Sequence, residues 1–360
     1  MLQTYSFSHT LHFTFPAGTS RGVMTTRPTH FIGLEQEGQR GIGECAPLAG
    51  LSEDDVPNLP SMIERVRQRI ASQPAPRTPR EALQLAGEVV PDNLPSVRFG
   101  TETALLDLLH GGQRLLFPAV MRPEFTPLPI NGLVWMGEPD FMQGQIDEKL
   151  EQGFRCIKLK IGAIDFADEL RLLAGLRKRY AQDAITLRVD ANGAFAPAEA
   201  MKKLSLLAEF DIHSIEQPIA PGQTEAMAAL CRDSPIPIAL DEELIGWHTP
   251  GERAQLLDDV RPQYVILKPT LLGGLAAADD WVALAEARSI GWWVTSALES
   301  NVGLNAIAQW VATYKPTLPQ GLGTGQLYHD NIESPIYIDH GHLHYDPARA
   351  WDESLFNQKL

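Results

Sequence analysis

Two rhythms of apolar residues divide the chain. Up to about residue 45 apolar and polar positions alternate, at Tyr5, Phe7, Leu11, Phe13 and Phe15 and again over 30–34, with Gly18 and Gly22 as breaks. A period of two places successive side chains on opposite faces, so this stretch reads as an antiparallel meander. From about Asp54 to Gly112 the apolar spacing becomes helical, over 62–70 and 101–110. Strands followed by helices form an α+β unit.

After a loop from Pro118 to Pro127 the pattern turns regular. Short β-rich runs recur at 128–133, 156–161, 185–190, 212–216, 236–241, 264–268 and 292–296, with an eighth candidate at 318–322. Stretches of helical period lie between them, among them 166–180, 197–210 and 275–289. Such alternation implies parallel βαβ units, and seven in series favour a closed barrel over an open sheet.

The most informative charged residues sit at fixed places in this rhythm. Asp190, Glu216 and Asp241 each close a strand, 26 and 25 residues apart, which is one strand–helix unit each time. Adjacent strands would then present one carboxylate apiece at the C-terminal face, where barrel enzymes carry their active sites. Three converging carboxylates resist joint ionisation unless a hard cation compensates them, so the set predicts Mg2+, with Mn2+ suited to the same oxygen donors. Any one of these acids alone reads equally well as a loop edge or a helix cap.

Two lysines extend the series. Lys160 ends the strand 30 residues before Asp190, and Lys268 the strand 27 residues after Asp241. The barrel order Lys, Asp, Glu, Asp, Lys puts the ammonium groups on opposite sides of the cation, able to reach opposite faces of a flat substrate. Lysine in a dry pocket beside a cation loses proton affinity and can serve as a general base. Lys158 shares a strand face with Lys160 and would lower its pKa by like-charge repulsion. Arg188 and Asn192 fall on the side of Asp190, whereas Glu242 is expected to point away from Asp241. A Schiff-base lysine lyase on a TIM barrel would use one lysine and leave the three acids unexplained. A non-catalytic scaffold would break one of the five positions, and none is broken.

Composition narrows the picture further. With 360 residues, two domains are expected, and 44% hydrophobic against 21% charged residues is that of a folded chain with a sizeable core. A net charge of −15 argues against nucleic acid and anionic membrane surfaces. A small-molecule carboxylate substrate stays compatible, because a cation and a few lysines reverse the potential inside a cleft. Cys45, Cys156 and Cys231 form neither a disulfide framework nor a zinc ribbon. The first residues lack the pattern of a leader, and no run reaches the ~18 apolar residues of a membrane span, so a cytoplasmic location is expected. A homo-oligomer is left open.

Lys158-Leu-Lys160, Val189-Asp-Ala-Asn-Gly193, Ile215-Glu-Gln-Pro218, Ala239-Leu-Asp-Glu242 and Leu267-Lys-Pro269 together resemble the enolase superfamily, in its muconate-lactonising-enzyme subgroup. The resemblance implies a modified TIM barrel, (β/α)7β, over residues 126–325 under an N-terminal α+β capping domain over 1–125, with residues from about 325 to 360 packing back on it. Gly41-Ile-Gly-Glu-Cys-Ala-Pro-Leu48 looks like a capping-domain segment, and Gly18-Thr-Ser-Arg-Gly22 like the substrate lid, or else a plain hairpin turn. Dipeptide epimerases of this group usually carry an Asp-x-Asp pair after the seventh strand. Here that place reads Ser296-Ala-Leu-Glu-Ser-Asn-Val-Gly303, which, with Gly321-Leu-Gly-Thr-Gly325, is similar to the o-succinylbenzoate synthases of menaquinone biosynthesis. The reaction implied is proton abstraction α to a carboxylate with syn elimination of water, an N-acylamino acid racemase or dipeptide epimerase activity being the alternative. Lys160 and Lys268 are then the catalytic pair, Asp190, Glu216 and Asp241 the metal ligands, and Arg21, Lys158, Asn192, Ser296, Glu299, Ser300 and Gly323 the substrate contacts.

Overall fold

The structure is a computed structural model that describes residues 2–19, 22–121, 125–162 and 164–358. Strands β1 (Gln3–Thr19), β2 (Gly22–Gln36) and β3 (Gln39–Cys45) form the expected antiparallel meander, paired in that order. Leu11, Phe13 and Ala17 of β1 are buried while His12 and Thr14 between them are exposed, which is the alternation read from the sequence.

Helices α1 (Leu59–Ala71), α2 (Pro79–Val89) and α3 (Pro95–Leu109) cover the meander. The glycines of β3 set how closely α3 approaches it. A Cβ on Gly43 would lie 1.8 Å from the Gly100 carbonyl oxygen, and one on Gly41 2.1 Å from that of Ala104. Helix α3 is buried on nearly every side, Glu102 and Asp107 included.

A short helix, α4 (Pro118–Met121), precedes strand β4 (Leu128–Pro129) and then the barrel. Its course is β5 (Gly132–Val134), α5 (Pro139–Glu151), β6 (Cys156–Lys160), α6 (Phe166–Arg179), β7 (Thr186–Asp190), α7 (Pro197–Leu207), β8 (Ile212–Glu216), α8 (Thr224–Asp233), β9 (Ile238–Leu240), α9 (Pro250–Val260) and β10 (Tyr264–Leu267). The single turn α10 (Pro269–Leu272), α11 (Gly274–Glu286), β11 (Gly291–Val294) and α12 (Asn301–Ala312) complete it. Strands β5 to β11 pair in parallel in sequence order as a seven-stranded sheet. The eighth candidate closes the ring through isolated parallel bridges, Gln320 to Ile130 on one side and Gly321 to Thr295 on the other.

Beyond the barrel, β12 (Ile336–Asp339) and β13 (His342–Tyr345) form a hairpin that pairs with β4. The C-terminal segment also packs against the first strands. Tyr328 bridges Phe13, and Phe356 of α13 (Ser354–Gln358) meets Phe7 and Phe31. Arg114 forms a two-pronged ion pair with Glu353, at 2.6 and 3.0 Å.

Candidate active site

Parallel register brings the charged residues together. Lys160 of β6 lies opposite Asp190 of β7, which lies opposite Glu216 of β8. Asp241 follows the last residue of β9, and Lys268 the last of β10. All five sit at the C-terminal end of the barrel and are buried or nearly so.

Lys158 reaches up from two residues lower on β6, its Nζ 2.9 Å from Asp190 Oδ2 and 2.5 Å from Glu216 Oε2. Lys160 Nζ lies 3.1 Å from the same Asp190 oxygen and donates to Asn192 Oδ1 at 2.7 Å. On the far side, Lys268 Nζ is 2.5 Å from Asp241 Oδ2. The lysines of β6 and β10 thus flank the acids from opposite sides.

Burial alone would raise the Asp190 carboxyl, but the ammonium groups of Lys158 and Lys160 hold it well below the usual carboxylate range. Burial and the charge of Asp190 push Glu216 the other way, well above that range. Lys158 and Lys268 are held above the ordinary lysine value, since neighbouring carboxylates outweigh the opposing effect of burial. In this arrangement Lys158 supplies positive charge to the acids as well as neighbouring Lys160.

The donor set suits a hard divalent cation. Three carboxylates converge, and Glu216 Oε1 is buried without a hydrogen-bond partner among the described residues, while Oε2 meets the Lys158 ammonium at 2.5 Å. A buried carboxylate oxygen without a hydrogen-bond partner, set beside two further acids, is what a cation with oxygen ligands requires.

Over this cluster lies a cavity of about 540 Å³. Lys158, Lys160, Asp190, Asn192 and Lys268 line its floor, with Ser296 and Gly323 on one wall. The capping domain contributes Phe15, Val23, Met24 and Leu48.

Two predicted contacts lie elsewhere. Glu299 is fully buried and accepts from Thr270 Oγ1 and Ser296 Oγ, each at 2.5 Å, so it braces the loops after β10 and β11 from behind the wall. Ser300 donates its backbone N–H and its hydroxyl to Glu44 of β3, fastening the N-terminus of α12 to the capping sheet. Neither residue lines the cavity. Arg21 lies outside the described residues.

Glu242, expected to face away, instead accepts from Asn192 Nδ2 at 3.0 Å. Strand β9 stops at Leu240, and the 3₁₀ turn over Glu242–Leu244 ends the alternation on which that expectation rested. Arg188 is buried below the acids, its guanidinium 4.0 Å from the centre of the Trp293 ring and donating to the Pro319 carbonyl at 2.8 Å. Sequence reasoning missed Trp135, whose ring lies 6.0 Å from Lys160 Nζ, and Asn131 and Thr324, which line the cavity. Asn131 Oδ1 and Thr324 Oγ1 are buried without a hydrogen-bond partner among the described residues. Inward alternation along the first barrel run was the available signal for Asn131 and Trp135.

Residues 142–349 match the family model described as Enolase C-terminal domain-like. The chain belongs to the enolase superfamily. It is 47% identical, over 92% of its length and 96% of the relative's, to an o-succinylbenzoate synthase of Desulfotalea psychrophila. The crystal structure of MenC from the same organism superposes with a TM-score of 0.83 at 43% identity, covering 95% of this chain and 99% of that one. A muconate lactonizing enzyme of Pseudomonas fluorescens, solved with muconolactone, shares the fold with a TM-score of 0.86 at 24% identity, covering 99% and 98%. The capped, modified TIM barrel is thus the architecture of this superfamily.

Proposed function

We propose that the chain is a hydro-lyase, an o-succinylbenzoate synthase that converts 2-succinyl-6-hydroxy-2,4-cyclohexadiene-1-carboxylate to o-succinylbenzoate in menaquinone biosynthesis. The observation that carries this reading is near-full-length similarity to a synthase of that name, joined to a barrel end holding three acids between two lysines.

Asp190, Glu216 and Asp241 would hold the divalent cation, Mg2+ or Mn2+. Such a cation, when bound, places positive charge against the substrate carboxylate and acidifies the α-proton. Lys160 takes that proton at Nζ, held towards the substrate by Asn192. Lys268, across the cavity as an ammonium, opposes the negative charge that develops on the ring and meets its π face. The C–O bond then breaks, hydroxide leaves, and proton and hydroxide together make up the water lost as the ring aromatises. Lys158 and Asn192 are assigned to substrate positioning, with Ser296 and Gly323 on the adjoining wall.

Residues 1–125 serve as the capping domain in this reading and 126–325 as the catalytic barrel. The three cysteines are free and buried, which suits the reducing cytoplasm. No described helix is long and apolar enough to cross a membrane.

The deciding experiment assays purified protein with the cyclohexadiene substrate and, separately, with N-acyl amino acids in deuterated water. Rapid formation of the aromatic product supports the synthase. Failure on it with fast α-deuteration of the amino acids makes the protein a racemase. Borohydride trapping of a substrate adduct on lysine would replace both with a Schiff-base lyase.

A further inference from the structure

At the junction of β1 with the C-terminal segment, His12, His329 and Asp330 bring two imidazoles and a carboxylate together at the surface. One donor atom from each lies within 4.8 Å of the others. The trio is separate from the acids of the barrel and contributes nothing to the reaction described above.

The backbone fixes this convergence. His329 N–H donates to the His12 carbonyl at 3.1 Å, and His12 N–H donates to Asp330 Oδ1 at 2.8 Å. Asp330 Oδ2 lies 2.6 Å from His12 Nδ1. The two imidazoles are nearly parallel, 18° apart with centroids at 5.6 Å, so their nitrogens can face a common point. The side chain of His12 is half exposed, which leaves the donors free to adjust.

We propose that His12, His329 and Asp330 form a second metal site, selective for a zinc-class divalent ion. Imidazole donors favour Zn2+ and Co2+, whereas Mg2+ prefers oxygen ligands and retained water, so this site and the barrel carboxylates select different ions. Donors of a tetrahedral zinc site stand about 3.3 Å apart, so no pair of these, all within 4.8 Å, has to draw in by more than about 1.5 Å on binding. One nitrogen from each ring and one Asp330 oxygen coordinate, water takes the open position, and each imidazole binds as a neutral ring that keeps its single proton on the nitrogen turned away from the ion. Two segments more than 300 residues apart in sequence are thereby cross-linked. Leu327 and Thr14, joined by a backbone hydrogen bond of 2.8 Å beside the trio, both line the cavity, so the ion would stiffen its rim.

The test is Co2+ titration of the untagged protein in excess Mg2+ at neutral pH, read by visible ligand-field absorption, with thermal melts in Zn2+ alongside. Wild type should bind one Co2+ tetrahedrally and gain melting temperature with Zn2+. His12→Ala and His329→Ala should each weaken Co2+ binding by at least about tenfold, the scale on which even outer-sphere losses weaken metal sites. Asp241→Asn should leave the signal intact. The proposal fails if no Co2+ binds, if both histidine variants bind as wild type does, or if Asp241→Asn alone removes the band. His329 offers only an exposed side chain to the fold, so its variant remains informative even if His12→Ala unfolds.

Discussion

Asn192 joins Lys160 to Glu242, accepting from the lysine ammonium at 2.7 Å through Oδ1 and donating to the carboxylate at 3.0 Å through Nδ2. The amide therefore aims the proposed base without adding charge to it. Its backbone sits at φ +44°, in the left-handed region that asparagine tolerates better than most residues.

Asn192→Ala should lower kcat by about tenfold, near 1.4 kcal/mol in barrier, with a smaller change in KM. Steady-state kinetics on the cyclohexadiene substrate check this. A rise in KM alone would leave Asn192 a substrate contact with no part in guiding Lys160.

Lys160→Ala should abolish both turnover and α-deuteration. A residual rate within about tenfold of wild type excludes Lys160 as the base. Lys268→Met keeps the bulk of the side chain and removes the ammonium, so kcat should fall by about a hundredfold or more, with the melting temperature checked alongside.

Complete chelation should remove activity, with Mg2+ or Mn2+ restoring it. Glu216→Gln should stay inactive after metal is restored. It should nevertheless melt no lower than wild type in chelator, because burial and the charge of Asp190 already disfavour the ionised form of Glu216 when no metal is bound, and the amide mimics the neutral one. A chelated enzyme at full activity would sink the metal-dependent reading.

Stability should fall with pH through a group far from the reaction. Glu102 of α3 accepts from the backbone N–H of Leu275 at 2.5 Å at the start of α11, and burial pushes its carboxyl from 4.5 up to about 8. The folded state thus holds a proton that the unfolded chain loses near 4.5, so this contribution is full below that pH and is lost as pH rises towards about 8. Glu102→Gln should flatten the slope of melting temperature over that window, as calorimetry would show.

Gly43→Ala should destabilise the protein by about 3 kcal/mol, because the new methyl meets the Gly100 carbonyl with no room to move. Chemical denaturation measures it. A loss within 0.5 kcal/mol, the ordinary scale of a surface change, would mean that α3 and β3 slide apart easily.

Barrel order and the convergence of five charged groups were legible because one strand–helix unit has a nearly constant length, so spacing along the chain became position around a ring. Legibility ended where strands ended. Asp241 leaves β9 at φ −126°, ψ −83°, and Glu242 then faces Asn192 against the alternation. Glu299 and Ser300 read as substrate contacts because they fall in the run after the seventh strand that resembles the synthases, yet their partners are Thr270 and Glu44, residues close only in space. Gly41 and Gly43 resembled a family segment without disclosing their task, which is to admit α3.

Among the described residues the eighth strand bridges its neighbours at Ile130 and Thr295, while β6 to β8 pair over several consecutive residues. Backbone pairing is therefore uneven around this ring. The firmly laced arc carries Lys160, Asp190 and Glu216 and would tolerate little change. The lightly stitched seam, which bears Gly323 and Thr324 opposite Asn131, can be recut to accept another acyl tail, so new substrates would arise there while the old chemistry persists.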